Sequence, residues 1–264
     1  MEGLVIIADG PDKLVFIKDV QGGGCTRVGG ENVVGIHVTN CEIGWIGGTI
    51  QHYSGTDPNF PQDPRGAVTR YGNGIEVYGG CDDYVVDNCY IYQVYDAGVT
   101  HQITTNGRKY EMKKVRYINN VIENCDFYGN AASGATVFLP YLKTPVSIIF
   151  RNCRMYNNNY GIRTNAKQSA KGENQQGSIL FENCHIYDNR SSAVAINGQQ
   201  TGGMTITLRN CVLDNRKSGS CAMAFNNSRV SSNVAGITFE NCTLHPGQKP
   251  LFDVIQRTGF GVTD

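Results

Sequence analysis

Two acids stand out as candidates for chemistry. Glu76 lies in Gly74-Ile75-Glu76-Val77-Tyr78, and Asp96 in Tyr95-Asp96-Ala97-Gly98. The first motif returns 24 residues later as Gly98-Val99-Thr100-His101-Gln102, which puts the two acids on neighbouring turns of one repeating unit. Strands on adjacent turns pair at ~4.8 Å. Two carboxylates so placed fall within the ~5 to 9.5 Å separation at which one protonates a glycosidic oxygen while the other serves as base or nucleophile. His52 and His101 are alternative bases, able to take a proton from the carbon beside a uronate carboxylate. Arg65, Arg70 and Arg163 suit a uronate as bidentate partners. Tyr78, Tyr95 and Phe138 offer ring faces for a sugar, and Gln102 shares the outward column of Tyr78 and Phe138. Each also has a structural reading. Glu76 fits a solvated strand face, Asp96 fits a side chain bonded to its own turn, and strict alternation turns His101 inward as a core histidine.

The elements that position these residues follow from a repeat. Asn-Cys occurs at 40-41, 88-89, 124-125, 152-153, 183-184, 210-211 and 241-242, so successive cysteines are 48, 36, 28, 31, 27 and 31 residues apart. Periods of this length mean stacked coils. Before the Asn, segments such as Ile148-Ile149-Phe150-Arg151 and Ile237-Thr238-Phe239-Glu240 place apolar residues at alternate positions and a charge beside the Asn, the pattern of a half-buried strand. The Asn suits a left-handed turn position, where its amide can bond the Asn of the next coil. A second short strand follows the Cys. A third opens on a small residue: Gly74, Gly98, Gly134, Gly161, Ala193 or Ala222. Three strands per coil with no helical period specify an all-β right-handed parallel β-helix. In its third strand Ile75, Val99, Ala135, Ile162, Val194 and Met223 form the inward column, and Glu76, Thr100, Thr136, Arg163, Ala195 and Ala224 the outward one.

The phase of the Asn-Cys pairs predicts one internal column of free thiols behaving as small hydrophobes. Disulfides along that column are the minor alternative. No CxxC spacing indicates zinc, and no cofactor is expected; calcium at Asp82-Asp83 is a weaker option, because no third ligand is evident. Lys and Arg total 23 against 23 Asp and Glu, so no broad basic field exists to hold nucleic acid or an anionic membrane. No window has the ~20 apolar residues of a membrane span.

The run Cys41 to Gly48, then Arg70-Tyr71-Gly72-Asn73-Gly74-Ile75-Glu76, then Tyr95 to Gln102, resembles bacterial right-handed parallel β-helix proteins of the pectate-lyase-like superfamily, mostly uncharacterised carbohydrate-active proteins. The resemblance covers residues 14 to 160 by motif and the rest by repeat. It implies polysaccharide chemistry and no particular substrate. The Gly-His-Gly and Arg-Ile-Lys motifs of polygalacturonases and the Arg-x-Pro-x-x-Arg of classical pectate lyases are missing, so no family residue is carried over.

The expected organisation is a single domain over residues 1-264 with an inserted loop at 49-73 and a C-terminal cover at 246-264. Leu14 to Val20 reads as an earlier coil. The bare first coil suggests a piece of a longer protein whose leader has been removed, hence a secreted or periplasmic location, with the cytoplasm as the alternative. Solenoid ends that lack caps favour self-association. The loop is expected to wall a cleft over the third strand and bring His52, Arg65 or Arg70 to Glu76. Three functions compete: a glycoside hydrolase, a lyase acting on uronate-containing polysaccharide, and a non-catalytic glycan-binding or spacer module.

Overall fold

The computed structural model describes residues 5–7, 24–28, 33–35, 37–46, 49–51, 69–71, 73–78, 81–94, 97–102, 114–123, 125, 133–139, 145–166, 176–197, 203–217, 221–227, 237–245, 247 and 252–256. Most of their strands form three parallel sheets of seven, eight and eight strands, to which successive chain passes add one strand each. The first sheet runs from His37–Thr39 through Tyr84–Asp87, Lys114–Ile118, Val146–Arg151, Gln176–Glu182 and Gly203–Arg209 to Ile237–Glu240. The second holds Glu42–Ile46, Tyr90–Val94, Val121–Glu123, Arg154–Tyr156 and their successors; the third holds Gly24–Val28, Asn73–Tyr78, Val99–Gln102, Ser133–Leu139, Tyr160–Ala166 and theirs. This is the parallel β-helix that the repeat predicts.

One residue turns the chain from the first sheet to the second. Asn40, Asn88, Asn119, Asn152, Asn183, Asn210 and Asn241 all have φ between 51° and 55°, a left-handed conformation that Asn tolerates better than branched residues. Their amides ladder along the axis: Asn88 Nδ2 donates to Asn40 Oδ1 at 2.7 Å, Asn152 to Asn119 at 2.9 Å, and Asn183 to Asn152 and Asn210 to Asn183, both at 3.2 Å. Beside this ladder Arg151, Glu182, Arg209 and Glu240 alternate in sign from coil to coil. Arg151 Nε and Arg209 Nε each lie 2.6 Å from a carboxylate oxygen, of Glu182 and Glu240 respectively.

The Asn-Cys pairs do not all share one column, and the exception is Asn124-Cys125. In that coil Asn119 makes the turn, and the fully buried Asn120 stands where the other coils have Cys. It donates from Nδ2 to Val86 O at 2.9 Å and accepts at Oδ1 from Cys89 N at 3.0 Å. Cys125 instead lies at the following corner, its N bonded to Asn158 Oδ1 at 2.9 Å. The amide of Asn120 succeeds there because both of its ends find backbone partners, which a buried polar group requires. Cys41, Cys89, Cys125, Cys153, Cys184, Cys211 and Cys242 are all free thiols. Burial pushes Cys89 up to about 11, and contact with Cys153 followed by burial raises Cys184.

A second asparagine ladder, which the sequence analysis missed, pins the corner between the second and third sheets. Asn158, Asn189 and Asn215 are buried. Asn158 N donates to Asn189 Oδ1 at 3.0 Å and Asn189 N to Asn215 Oδ1 at 3.2 Å, while the Nδ2 groups of Asn158 and Asn189 reach Ile122 O and Met155 O. Just beyond this corner come the small residues that open the third sheet. A Cβ on Gly98 would lie 2.3 Å from Ile122 Cγ2 and 2.7 Å from Gly134 O, and one on Gly161 would lie 2.2 Å from Ile186 Cγ2. Closeness to the next coil therefore selects glycine.

Between the sheets, equivalent side chains stack. Tyr117, Phe150 and Phe181 follow one another with ring centroids 4.7 and 5.2 Å apart. Ile43, Ile91, Ile122, Met155, Ile186 and Leu213 form a fully buried column on the second sheet.

Three expectations about the chain's ends and loops meet the structure differently. Phe252–Gln256 is a further parallel strand paired with Cys221–Asn227, so part of the expected cover continues the repeat. The proposed coil at 14-20 lies outside the described residues. Asp83 accepts from Arg116 Nη2 at 2.7 Å, and among the described residues no group of three acids, histidines or cysteines is arranged for a metal ion.

Phe150→Ala should cost about 3–5 kcal/mol in chemical denaturation. Asn189→Ala, which strips partners from Asn158 N and Met155 O, should cost about 1–3 kcal/mol; losses near zero for both would contradict this account of the core. A thiol reagent should leave Cys153, Cys184 and Cys211 untouched in the native protein and titrate them after unfolding without reductant.

Candidate functional site

Register builds the candidate site on the third sheet. Parallel pairing aligns Arg27, Glu76, Thr100, Thr136, Arg163 and Ala195 as one column across consecutive coils. The next column toward the strand ends aligns Tyr78, Gln102, Phe138 and Asn165. Glu76 thus sits one rung from Thr100 on one side and from Arg27 on the other, ~4.8 Å per rung. Arg27 is the residue the sequence analysis passed over. It becomes visible only when Gly24–Val28 is placed beside Asn73–Tyr78, because no Asn-Cys pair marks that coil.

Adjacent coils are locked together close to the two acids. Buried Asn73 accepts at Oδ1 from Ala97 N at 3.1 Å, and Gly74 N donates to Ala97 O at 3.0 Å. Ala97 follows Asp96 and Asn73 lies three residues before Glu76, so this double anchor joins the chain segments that carry both carboxylates. Asp96 and Tyr95 themselves lie outside the described residues. His52 and Arg65 do too, as do the side chains of Glu76, Tyr78, His101, Gln102 and Phe138, of which the structure describes the strands alone.

The base of the insertion is a hairpin. Thr49–Gln51 and Thr69–Tyr71 pair antiparallel, with Ile50 opposite Arg70. The hairpin leaves after the second-sheet strand Glu42–Ile46 and its returning strand stops one residue short of Asn73–Tyr78. Arg70 is therefore on the strand that feeds the strand of Glu76. The rest of the loop, and with it the expected wall over the third sheet, lies outside the described residues.

One outward assignment needs correction. Thr100 is 0% exposed and Ala195 2%, although both share the column of half-buried Arg163. Thr100 Oγ1 finds no hydrogen-bond partner among the described residues. Alternation gives the side of a strand that a residue occupies, and it does not report what covers that side. Arg163 lies three rungs from Glu76, roughly 14 Å at the usual strand spacing, and its guanidinium carbon is 6.0 Å from the Tyr160 ring centroid. It is too far to touch a sugar held directly at Glu76.

A second cluster occupies the outer side of the second sheet, where the residues one and three after each corner cysteine project. Tyr90 and Tyr92 stack at 4.6 Å. The Tyr92 ring covers Gly44 so closely that a Cβ there would lie 2.5 Å from its Cζ, and its hydroxyl donates to Glu42 Oε1 at 3.1 Å. Tyr90 donates to Glu123, which also bonds Tyr156. Tyr156 and Tyr187 stack at 4.7 Å, and the His185 ring lies 4.2 Å from Tyr187. Burial first and then the Glu123 carboxylate raise both Tyr90 and Tyr156 above the ordinary phenol range. His185 is exposed on this outer side. The fixed offset from Cys would have located the cluster, but it combines residues from coils whose sequences differ.

A raised phenol favours the neutral form in the folded state, so its stabilising contribution is complete below the unfolded value near 10 and is lost as pH rises through the folded one. Ultraviolet titration of the native protein should show Tyr90 and Tyr156 ionising above the ordinary phenol range, and Glu123→Gln should bring that phase down. An unchanged titration in Glu123→Gln would contradict the pairing.

A family model described as the right handed beta helix region matches residues 17–259. A comparison with curated proteins finds no match.

Proposed function

Because the chain belongs to the right-handed β-helix family, whose fold is shared by pectate-lyase-like and glycosidase-type enzymes, we propose that it processes a polysaccharide as a glycoside hydrolase, with Glu76 and Asp96 as its two acids. The observation that carries this reading is the pair of hydrogen bonds in which Ala97 N donates to Asn73 Oδ1 and Gly74 N donates to Ala97 O. It ties the strand of Glu76 to the chain neighbour of Asp96, which supports a rigid backbone under the two acids. Catalysis requires that rigidity, since a misplacement of about 1 Å can cost on the order of 10²-fold in rate.

The surroundings supply the remaining requirements. Thr100, beside Glu76 in register, is sealed from water, and partial desolvation together with a like-charged neighbour raises the pKa of one carboxyl of such a pair. Glu76 on its strand is the proton donor, and Asp96 remains the anion. To Arg27, one rung from Glu76 in the register, we assign the holding of an acidic substituent on the sugar. Arg70, Tyr78, Tyr95, Gln102 and Phe138 complete the sugar-binding wall, and Arg163 serves a sugar several units away. His52 and His101 are the bases of the alternative lyase chemistry, which Arg27 also favours because a lyase must neutralise a uronate carboxylate.

Either Glu76→Gln or Asp96→Asn should lower turnover by on the order of 10²-fold or more with little change in thermal unfolding, because the repeat assigns apolar residues, not these acids, to the inner stacks. Release of reducing ends without an ultraviolet-absorbing unsaturated product indicates hydrolysis. The unsaturated product would replace it with the lyase reading, and full activity in both variants would remove the pair from the chemistry.

A further inference from the structure

We infer that the tyrosine-carboxylate face of the second sheet is a separate binding surface for an uncharged stretch of glycan. The inference takes its ligand class from the proposed polysaccharide chemistry and nothing else.

Tyr90 is the exposed large side chain of this face at 38%. One side of its ring is taken by Tyr92, which lies over Gly44. The pair is thus a rigid aromatic platform built on a glycine that makes room for it. A ring already immobilised loses little conformational freedom when a ligand settles on it, and the C–H face of a pyranose is the natural partner of an exposed aromatic face. On either side stand carboxylates, Glu42 and Glu123, each oriented by a tyrosine hydroxyl. A carboxylate has about four acceptor positions, so one bonded to a tyrosine or two still accepts from a sugar hydroxyl.

Charge decides the kind of glycan. Between Glu42 and Glu123 the described residues of the two outer columns are Tyr90, Tyr92, Gly44 and Val121, and none is a cation. Arg154 stands in the same outer column one rung beyond Val121, outside the tyrosine platform. On the platform itself two fixed anions with no cation between them disfavour a uronate and suit a neutral sugar whose hydroxyls donate to the carboxylates. Geometry gives the direction: Glu42, the tyrosines and Glu123 occupy three consecutive coils. Their ~4.8 Å spacing is close to the length of one pyranose in an extended chain, so the polymer lies along the helix axis. The surface is on a different sheet from Glu76, which allows one polymer to be held at the second sheet and processed at the third.

The test is isothermal titration of the full chain with cellohexaose, xylohexaose, mannohexaose and laminarihexaose, and with oligogalacturonate and oligoalginate as charged controls. At least one neutral hexasaccharide should bind. Tyr90→Ala and Glu123→Gln should each weaken that binding by on the order of tenfold, and Glu76→Gln should leave it unchanged. Turnover of a short oligosaccharide substrate should be the same in Tyr90→Ala as in the unaltered chain, so loss of the hydrolase reading and loss of this surface register in different variants. Circular dichroism of both variants keeps unfolding from passing as loss of binding. Binding of the charged oligomers alone, no neutral binding at all, or neutral binding indifferent to Tyr90 and Glu123 would overturn the proposal. So would sedimentation showing that Tyr90 instead holds two copies of the chain together.

Discussion

The structure depends on a corner made by one residue. At every described pass from the first sheet to the second a single Asn adopts a left-handed backbone, and this returns the chain to the same place in the next coil. Once successive coils superimpose, each side chain lies over its counterpart, and chemistry that is weak in one coil accumulates along a column. Aromatic rings stack, amides ladder, and charges of alternating sign pair. The exposed charge pairs contribute little, being screened by water; the buried columns dominate, at about 1.5–3 kcal/mol for each large apolar side chain removed from water.

This regularity also sets the form of any functional site. Residues 24 or more positions apart in sequence become neighbours at the strand spacing, so a site is read across coils rather than along them. Glu76 acquires Arg27 and Thr100 as lateral neighbours, and the asparagine at position 73 reaches forward to hold the backbone beside Asp96. The insertion enters between Glu42–Ile46 and Asn73–Tyr78, in a coil before those whose corner the Asn158, Asn189 and Asn215 ladder pins.

Much of the fold was legible because the corner chemistry is specific. Asn followed by Cys, preceded by alternating apolar residues, suits a left-handed corner that opens into a core and few backbones besides. The small residues opening the third strand answer to the carbonyl and isoleucine of the next coil. The misreading at Asn124-Cys125 arose because Asn120 can replace Cys: an amide bonded at both ends is as well satisfied inside as a thiol. A motif search sees letters, and the interior selects for satisfied groups. The spacing held the correction, since 89 to 120 to 153 is more even than 89 to 125 to 153. The candidate site was less legible. Burial of Thr100 depends on what lies over the sheet, and the Tyr90, Tyr92 and Glu123 cluster depends on three coils whose sequences share only their offset from the corner.

The central claim is that the register of the third sheet assembles a carbohydrate-processing pair from Glu76 and Asp96. The most direct measurement is a crystal structure of the Glu76→Gln chain soaked with a substrate oligosaccharide. The account predicts a sugar across the rungs of residues 76 and 100, with the side-chain carbonyl carbons of residues 76 and 96 within ~10 Å of each other on either side of one glycosidic bond. A sugar bound elsewhere only, or the two groups separated well beyond that distance, would contradict it.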